Sequence, residues 1–380
     1  MNNDSNQDIY RKYIRSNLLI YVCLPLNSIG GNYVHLDNII SQVSEIKQYD
    51  IVLIISSDEQ LVEMNFNKYD ITVINVRNRS TLFQMLCSIY VIHKLKVGYE
   101  KVLIHSIKSI SDIASSLCDS QIHKISTVES ELTNIFTNRF KWRLLNWIYG
   151  HLVVKRINNF IFIGNGLKLA YEKRYFGIQS RSKVINSGLS NEIIQQLKYI
   201  CRNIDNSRVI RFGYVGTLTK AKGIYDAIST YLELPINNKA LYVYGEGPAL
   251  SDIEKIENKN IYIKGFERER KNIYDNIDIL LFPSYSEGLP WVILEAMYSG
   301  ILVISRHVGA ISDVIIDGHN SYLIDSDLKY KDRALELIRM IIKEDSSTVS
   351  LNAHQRILYE FSINKEMIRY IHQYKDYFKF

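Results

Sequence analysis

Short apolar runs recur along this chain at intervals too long for hairpins and well suited to crossover helices, and this alternation constrains the fold more than any other feature. Residues 18–24 (LLIYVCL), 51–56, 71–76, 101–105, 125–129 and 159–163 read as strands in the first half. In the second half the same reading applies to 209–216, 240–244, 261–266, 277–282, 301–305 and 322–324. The runs are rich in Ile, Val and Leu and nearly continuous in polarity, as expected of strands buried on both faces of a parallel sheet. Helical patterning lies between them, as at 80–95, and returns at 332–343 and 362–380. Alternating β and α implies an α/β fold. At 380 residues and 47% hydrophobic content, the chain has the material for two cores of ordinary size.

Composition narrows the class of partner. The net charge of +6, from 46 basic and 40 acidic residues, is a mild excess that suits anionic ligands and is too small to imply nucleic-acid binding. Cys23, Cys87, Cys118 and Cys201 include no Cys-x-x-Cys pair, so neither a zinc site nor a disulfide framework is indicated and a reducing cytoplasm fits. The segment 1–17 is polar, and no apolar run reaches the roughly 18–20 residues that span a bilayer. The expectation is a protein neither secreted nor membrane-spanning. The 27 Tyr accompany many Ile, Asn and Lys, residues with AT-rich codons, so genomic bias accounts for the aromatic load better than a carbohydrate-stacking surface does.

The stretch 277–305 reads as one βαβ unit: an apolar strand ending at Pro283 and Ser284, a loop, a helix and a second strand. Pro290 suits a first helical turn, and Gly300 sits where a left-handed stop is wanted. In such a unit the loop lies at the carboxyl edge of the sheet, and the helix start offers unpaired N–H groups to an anion. Glu287 stands in the loop and Glu295 inside the helix, so two carboxylates could grip one extended ligand. Physics alone leaves a second reading open, because acidic residues near helix starts also serve the helix dipole.

The segment SEGLPWVILEAMYSGILVIS, with Glu287 and Glu295 separated by seven residues, resembles the Glu-x7-Glu signature of the group 1 retaining, nucleotide-sugar-dependent glycosyltransferases of GT-B fold. The resemblance is strongest over 209–324. It implies two Rossmann-like domains facing across a cleft: an acceptor-binding domain over 1–187, with helix 362–380 packing back onto it, and a nucleotide-sugar-binding domain over 188–361. In that family the first glutamate contacts the donor sugar and the second holds the ribose hydroxyls. Leu289, Pro290, Trp291 and Val292 between them would join the donor site. Lys222 and Gly223 match the family's Lys-Gly, making Lys222 the principal cation for the diphosphate. Gly216 matches too, but Thr217 stands where the family has arginine, leaving Lys220 and Arg306 as candidate compensators. Gly245-Glu246-Gly247-Pro248 resembles the Gly-x-Gly-Pro turn, and the loop at Phe266 is where relatives meet the nucleobase. Gly30 and Gly31, after the first strand, match a glycine loop that faces the donor phosphates; alone they read equally well as a tight turn. No metal or cofactor is implied.

Two positions bear on the acceptor side. His105 closes a strand at the carboxyl edge and is a catalytic candidate with Glu287 and Lys222, against the alternative of a satisfied structural histidine. Glu129 stands about where many relatives carry histidine. The stretch 139–156 (RFKWRLLNWIYGHLVVKR) has two readings: a helix whose Trp142, Leu145, Ile148 and Leu152 face the core, or an interfacial patch bracketed by Arg139, Lys141, Arg143, Lys155 and Arg156.

The expected activity is transfer of a sugar with retention from a nucleotide donor, UDP-linked, to a glycan or lipid-linked glycan in cell-surface polysaccharide synthesis. The site of work would be the cytoplasm and the inner face of the cell membrane. The rival readings are a non-hydrolysing sugar-nucleotide epimerase and a non-catalytic nucleotide-sugar-binding protein.

Overall fold

The computed structural model describes residues 15–26, 31–57, 66–77, 80–130, 139–205, 207–325 and 328–379. By its internal contacts the chain divides into two compact units, Met1–Ile185 with Met367–Phe380, and Asn186–Glu366.

The first unit is built on β1 (Arg15–Cys23), β2 (Asp50–Ile55), β3 (Thr72–Asn75), β4 (Tyr99–Ile107), β5 (His123–Val128), β6 (Asn159–Phe162) and β7 (Ser182–Val184). They form one sheet in the order β3-β2-β1-β4-β5-β6-β7, parallel throughout. The continuous apolar run of β1 is explained by its central place: Ile20 sits between Val52 and Ile104, and Leu18 to Cys23 are wholly buried. The second unit holds β8 (Ile210–Val215), β9 (Lys239–Tyr244), β10 (Ile261–Gly265), β11 (Ile279–Phe282), β12 (Leu302–Arg306) and β13 (Tyr322–Ile324). Their order is β10-β9-β8-β11-β12-β13, again parallel. One core packs Phe212, Tyr214, Val243, Leu281 and Ile304 against Ile228 and Tyr231 of helix Ile224–Glu233 and Ile338 of helix Tyr330–Lys343.

In both sheets the sequence order reverses beside the first strand, between β1 and β4 and between β8 and β11. Parallel strands all end on one edge, and at a reversal the following loops diverge and leave a crevice in which α/β proteins bind ligands. The foot of β11 is fixed by charge: fully buried Asp278 accepts from Arg211 Nη2 at 2.8 Å and Arg208 Nη1 at 3.1 Å. A carboxylate so buried requires such partners.

Helix Trp291–Tyr298 starts one residue later than the sequence suggests, with Pro290 as its extended N-cap rather than in its first turn. Its missing N–H costs nothing there either. Gly300 takes the left-handed conformation expected of a stop, with φ 77°. The stretch 139–156 departs further from its pattern. Helix Arg139–Ile148 passes into a π-helical turn at Tyr149–Val153 before ending at Arg156. The wider turn rotates the inward face, so Tyr149, Val153 and Val154 are buried while Leu144 and Trp147 stand exposed. Of the expected stripe, Leu145, Ile148 and Leu152 are half-buried and the Trp142 side chain lies outside the described residues; the fully buried positions are Tyr149, Val153 and Val154.

Candidate functional site: paired carboxylates beside the strand-order reversal

The loops after β8 and β11 flank the reversal in the second unit, and they carry Lys222 and Glu287. After β8, Thr219 caps a 3-10 turn over Lys220–Lys222, its Oγ1 accepting from Lys222 N at 3.2 Å. Gly223 then turns left-handed at φ 76°, and a side chain there would place Cβ 2.3 Å from Pro283 O. Only glycine allows this close approach. Tyr285 N donates to Ala221 O at 3.0 Å, tying the two loops together. The second loop is clasped from its other side by Gly309 at φ 59°, where a Cβ would fall 2.2 Å from Glu287 O, and by Ala310 N donating to Gly288 O at 2.9 Å.

The result is a direct contact: Lys222 Nζ donates to Glu287 Oε1 at 2.7 Å and to Ser286 O at 3.4 Å. The Lys222 side chain is 37% exposed and that of Glu287 11%. A pair with one partner this open to water contributes about 0–1 kcal/mol to stability. Its importance is positional, since it presents an ammonium and a carboxylate side by side at the crevice.

Glu295 lies inside the helix Trp291–Tyr298, away from that pair and more deeply buried. Arg270 Nε donates to its Oε1 at 3.0 Å and Tyr274 OH to its Oε2 at 2.8 Å. Burial raises the Glu295 pKa above the ordinary carboxylate value, and the Arg270 charge and both hydrogen bonds oppose that rise. Beside this carboxylate, burial pushes the Tyr274 hydroxyl well above its usual range. Arg270 and Tyr274 escaped the sequence reading, although their spacing places them on one face of the short helix Arg270–Tyr274.

The remaining second-unit candidates fall around these groups. Gly216 follows β8, its N donating to Tyr244 O at 3.0 Å. Thr217 and Lys220 are exposed, and Phe266, after β10, is 66% exposed. Leu289 is buried, while Pro290, Trp291 and Val292 are half-buried at the helix start. Arg306 is not an available compensator for Thr217. It is buried, donates to Pro283 O at 3.2 Å and Asp226 Oδ2 at 3.3 Å, and lies over the rings of Tyr285 and Tyr330.

In the first unit Gly30 lies outside the described residues, and Gly31 opens helix Gly31–Val43. The catalytic expectation for His105 is corrected. The residue is fully buried, its Nδ1 lies 2.7 Å from Tyr374 OH and its Nε2 2.7 Å from Thr127 Oγ1. Burial, assisted by His35, lowers its pKa to about 3. Both ring nitrogens are committed to the core. Glu129 is paired with His35, Oε1 to Nδ1, at 2.5 Å. Among the described residues, no cluster of three His, Cys, Asp or Glu could hold a metal ion.

Comparison with known proteins agrees with this architecture. Residues 210–341 match the family model "Glycosyl transferases group 1". The chain is 25% identical over 341 residues to the uncharacterized glycosyltransferase MJ1069 of Methanocaldococcus jannaschii, covering 81% of this chain and 85% of that one. It is 26% identical over 161 residues to the capsular polysaccharide biosynthesis glycosyltransferase CapM of Staphylococcus aureus, covering 40% of this chain and 42% of that one. Among solved structures, Anabaena HepE in complex with UDP and glucose aligns with a TM-score of 0.77 at 15% identity, over 94% of this chain and 99% of that one. Sucrose-phosphate synthase from Thermosynechococcus elongatus aligns with a TM-score of 0.76 at 14% identity, over 96% and 100%. At such identities the structural likeness speaks for the fold. The two parallel-sheet units are those of the GT-B fold, and residues 210–341 form a domain similar to the group 1 glycosyltransferases.

Proposed function

We propose that this transferase moves a sugar from a UDP-linked donor to a glycan or lipid-linked glycan acceptor, with retention of anomeric configuration, in the synthesis of a cell-surface polysaccharide. The observation that carries the reading is the 2.7 Å contact of Lys222 with Glu287 beside the strand-order reversal of the second unit. A nucleoside diphosphate leaves with concentrated negative charge while positive charge develops on the sugar. An ammonium and a carboxylate held side by side match that separation. Lys222 and the N-terminal amides of helix Trp291–Tyr298 would meet the diphosphate, and Glu287 would face the sugar. Glu295, oriented by Arg270 and Tyr274, would take the ribose hydroxyls, with Phe266 near the base. The chemistry proposed needs no metal.

Three lines of similarity support the finer parts. The solved HepE complexes hold UDP, UDP with glucose, and UDP-glucose. CapM is named for capsular polysaccharide biosynthesis, and a Bacillus subtilis relative, 32% identical over 114 residues, for putative teichuronic acid biosynthesis. The Glu-x7-Glu spacing is that of retaining enzymes. The place of work proposed is the cytoplasmic face of the membrane; among the described residues no helix is long and apolar enough to cross one.

Thermal unfolding with UDP, GDP and ADP tests the donor assignment. A nucleotide at about 100 times its dissociation constant adds roughly 2.7 kcal/mol of stability, and UDP is expected to give the largest shift. A GDP or ADP shift exceeding that of UDP would replace the base; no shift with any of the three would refute the donor site. Product NMR with the native acceptor then reads the anomeric configuration directly.

A further inference from the structure

Helix Thr81–Lys96 of the first unit turns its polar side inward. Its buried positions are Gln84, Ser88 and Ile92, each a turn from the next on a single face, so two of the three inward side chains are polar. The opposite face carries Leu82, Phe83, Leu86 and Tyr90, each 50–63% exposed, with Val97 at the helix end 81% exposed. A contiguous exposed apolar face of this kind marks an interaction surface.

The spacing of the exposed side chains selects the kind of partner. Phe83, Leu86, Tyr90, His93 and Val97 follow one another in steps of 3, 4, 3 and 4, the seam with which one α-helix packs on another. A helix that lies in a membrane surface instead carries basic residues along the flanks of its apolar stripe. Here residues 80–92 hold no charged side chain, and Lys94 and Lys96 stand together in the last turn.

Beside the C-terminal half of the seam runs a groove of ≈ 360 Å³. Leu86, Ile89 and Tyr90 form one wall; Leu117, Cys118 and Ile122, at and beyond the end of helix Ser109–Leu117, form the other. The same surface therefore holds an apolar ridge at one end, Leu82 and Phe83, and an apolar groove at the other. A two-fold interface requires such self-complementarity, since each copy must present both knob and hole. In an antiparallel pair Phe83 faces Val97 of the second copy, Leu86 faces His93, and Tyr90 meets its own counterpart on the axis. Charge favours the same arrangement. Lys96 is paired with Asp119, and Lys94 Nζ lies 5.6 Å from the Tyr90 ring centroid. The two Lys94 residues then stand about 12 Å apart along the axis, beyond the screening length of about 8 Å at physiological salt, and parallel pairing would stack them.

We propose that two copies of this chain pair through helix Thr81–Lys96, antiparallel about a two-fold axis at Tyr90, with Leu82 and Phe83 of each laid along the groove of the other. The groove lies beside the starts of β4 and β5, so the crevice at the ends of those strands stays open in the pair.

Sedimentation velocity of the full chain from about 1 µM to about 1 mM brackets the affinities of a small interface. The parent should pass from monomer to dimer across that range. Tyr90→Asp, which sets two carboxylates against one another on the axis, should remain monomeric throughout and keep the parent's circular dichroism. Disulfide crosslinking reads the register in a chain with Cys201→Ser, Cys201 being exposed. Tyr90→Cys should give a covalent dimer on oxidation, and Phe83→Cys, whose own copy lies about 20 Å away along the axis, should not. Covalent dimers from both would overturn the antiparallel pairing. A dimer that survives Tyr90→Asp would overturn the assignment of this face. A parent that stays monomeric at every concentration would overturn the proposal, and binding of that monomer to anionic vesicles, lost in Tyr90→Asp, would give the face to a membrane instead.

Discussion

Lys222 and Glu287 hold one another at 2.7 Å in a place that a bound diphosphate sugar would contest, so their variants should differ in kind. Charge on the leaving group grows toward the transition state, and removal of one preorganised donor typically costs about 10²–10³ in kcat. Lys222→Ala is therefore expected to lower kcat more than it raises the donor KM; kinetics equal to the parent's would take Lys222 out of the site. Glu287→Gln keeps shape and should lower turnover with nucleotide affinity nearly unchanged. Glu295→Ala should chiefly weaken UDP binding, which calorimetry reads directly. His105 makes a different prediction. Its pKa is depressed from 6.5 to about 3, so the stability it contributes is present above pH 6.5 and is lost as pH falls toward 3. His105→Asn should flatten the fall in Tm over that window. Asp112, raised to about 7 by burial, acts in the opposite sense, losing stability as pH rises from 3.8 to 7, so the single variant is needed to isolate the histidine. A Tm profile parallel to the parent's would show that His105 does not carry the acid sensitivity.

At the scale of elements, the strands were legible because parallel strands buried on both faces leave continuous apolar runs, and β1, β4, β8 and β11 all do so. The π-helical turn was not, since a periodicity argument assumes regular turns, and one wide turn at Tyr149–Val153 moves the inward face. That error matters for the membrane reading, which gains the exposed residues Arg143, Leu144, Trp147 and Lys155. Trp147 is 60% exposed and stacked on His151. Each basic residue near an anionic surface is worth about 1 kcal/mol. A variant with Arg143→Gln, Lys155→Gln and Trp147→Ala is thus expected to lose most co-sedimentation with anionic vesicles at low salt. Parent protein that ignores such vesicles at every salt concentration would end the membrane assignment.

For the whole molecule, the α/β class followed from the alternation of runs, while the GT-B arrangement came from motif resemblance. Motif residues such as Glu287 and Lys222 stood out by their neighbours in sequence. Their partners did not: Arg270 reaches Glu295 across 25 positions and His35 reaches Glu129 across 94, and no local pattern encodes such pairs. The last helix, Ile363–Phe378, is equally remote from what it completes. From Met367 onward it belongs to the first unit, where Tyr374 OH lies 2.6 Å from Tyr21 OH and 2.7 Å from His105 Nδ1.

That connectivity sets an order of assembly on the ribosome. Domains generally fold as units while the chain emerges, the first-made portion leading. Here the first sheet is synthesised early but its covering tyrosines, Tyr370 and Tyr374, arrive only after the whole second unit has been made. The nascent first unit must therefore wait with the β1–β4 surface uncovered, while the second can close on its own. Chains stalled on a linker fused after Glu366 should give a protease-resistant second unit beside a digestible first one, and restoring the final segment from Met367 should protect both. Equal resistance of the two units in the stalled chain would show that the first sheet is stable without its last helix.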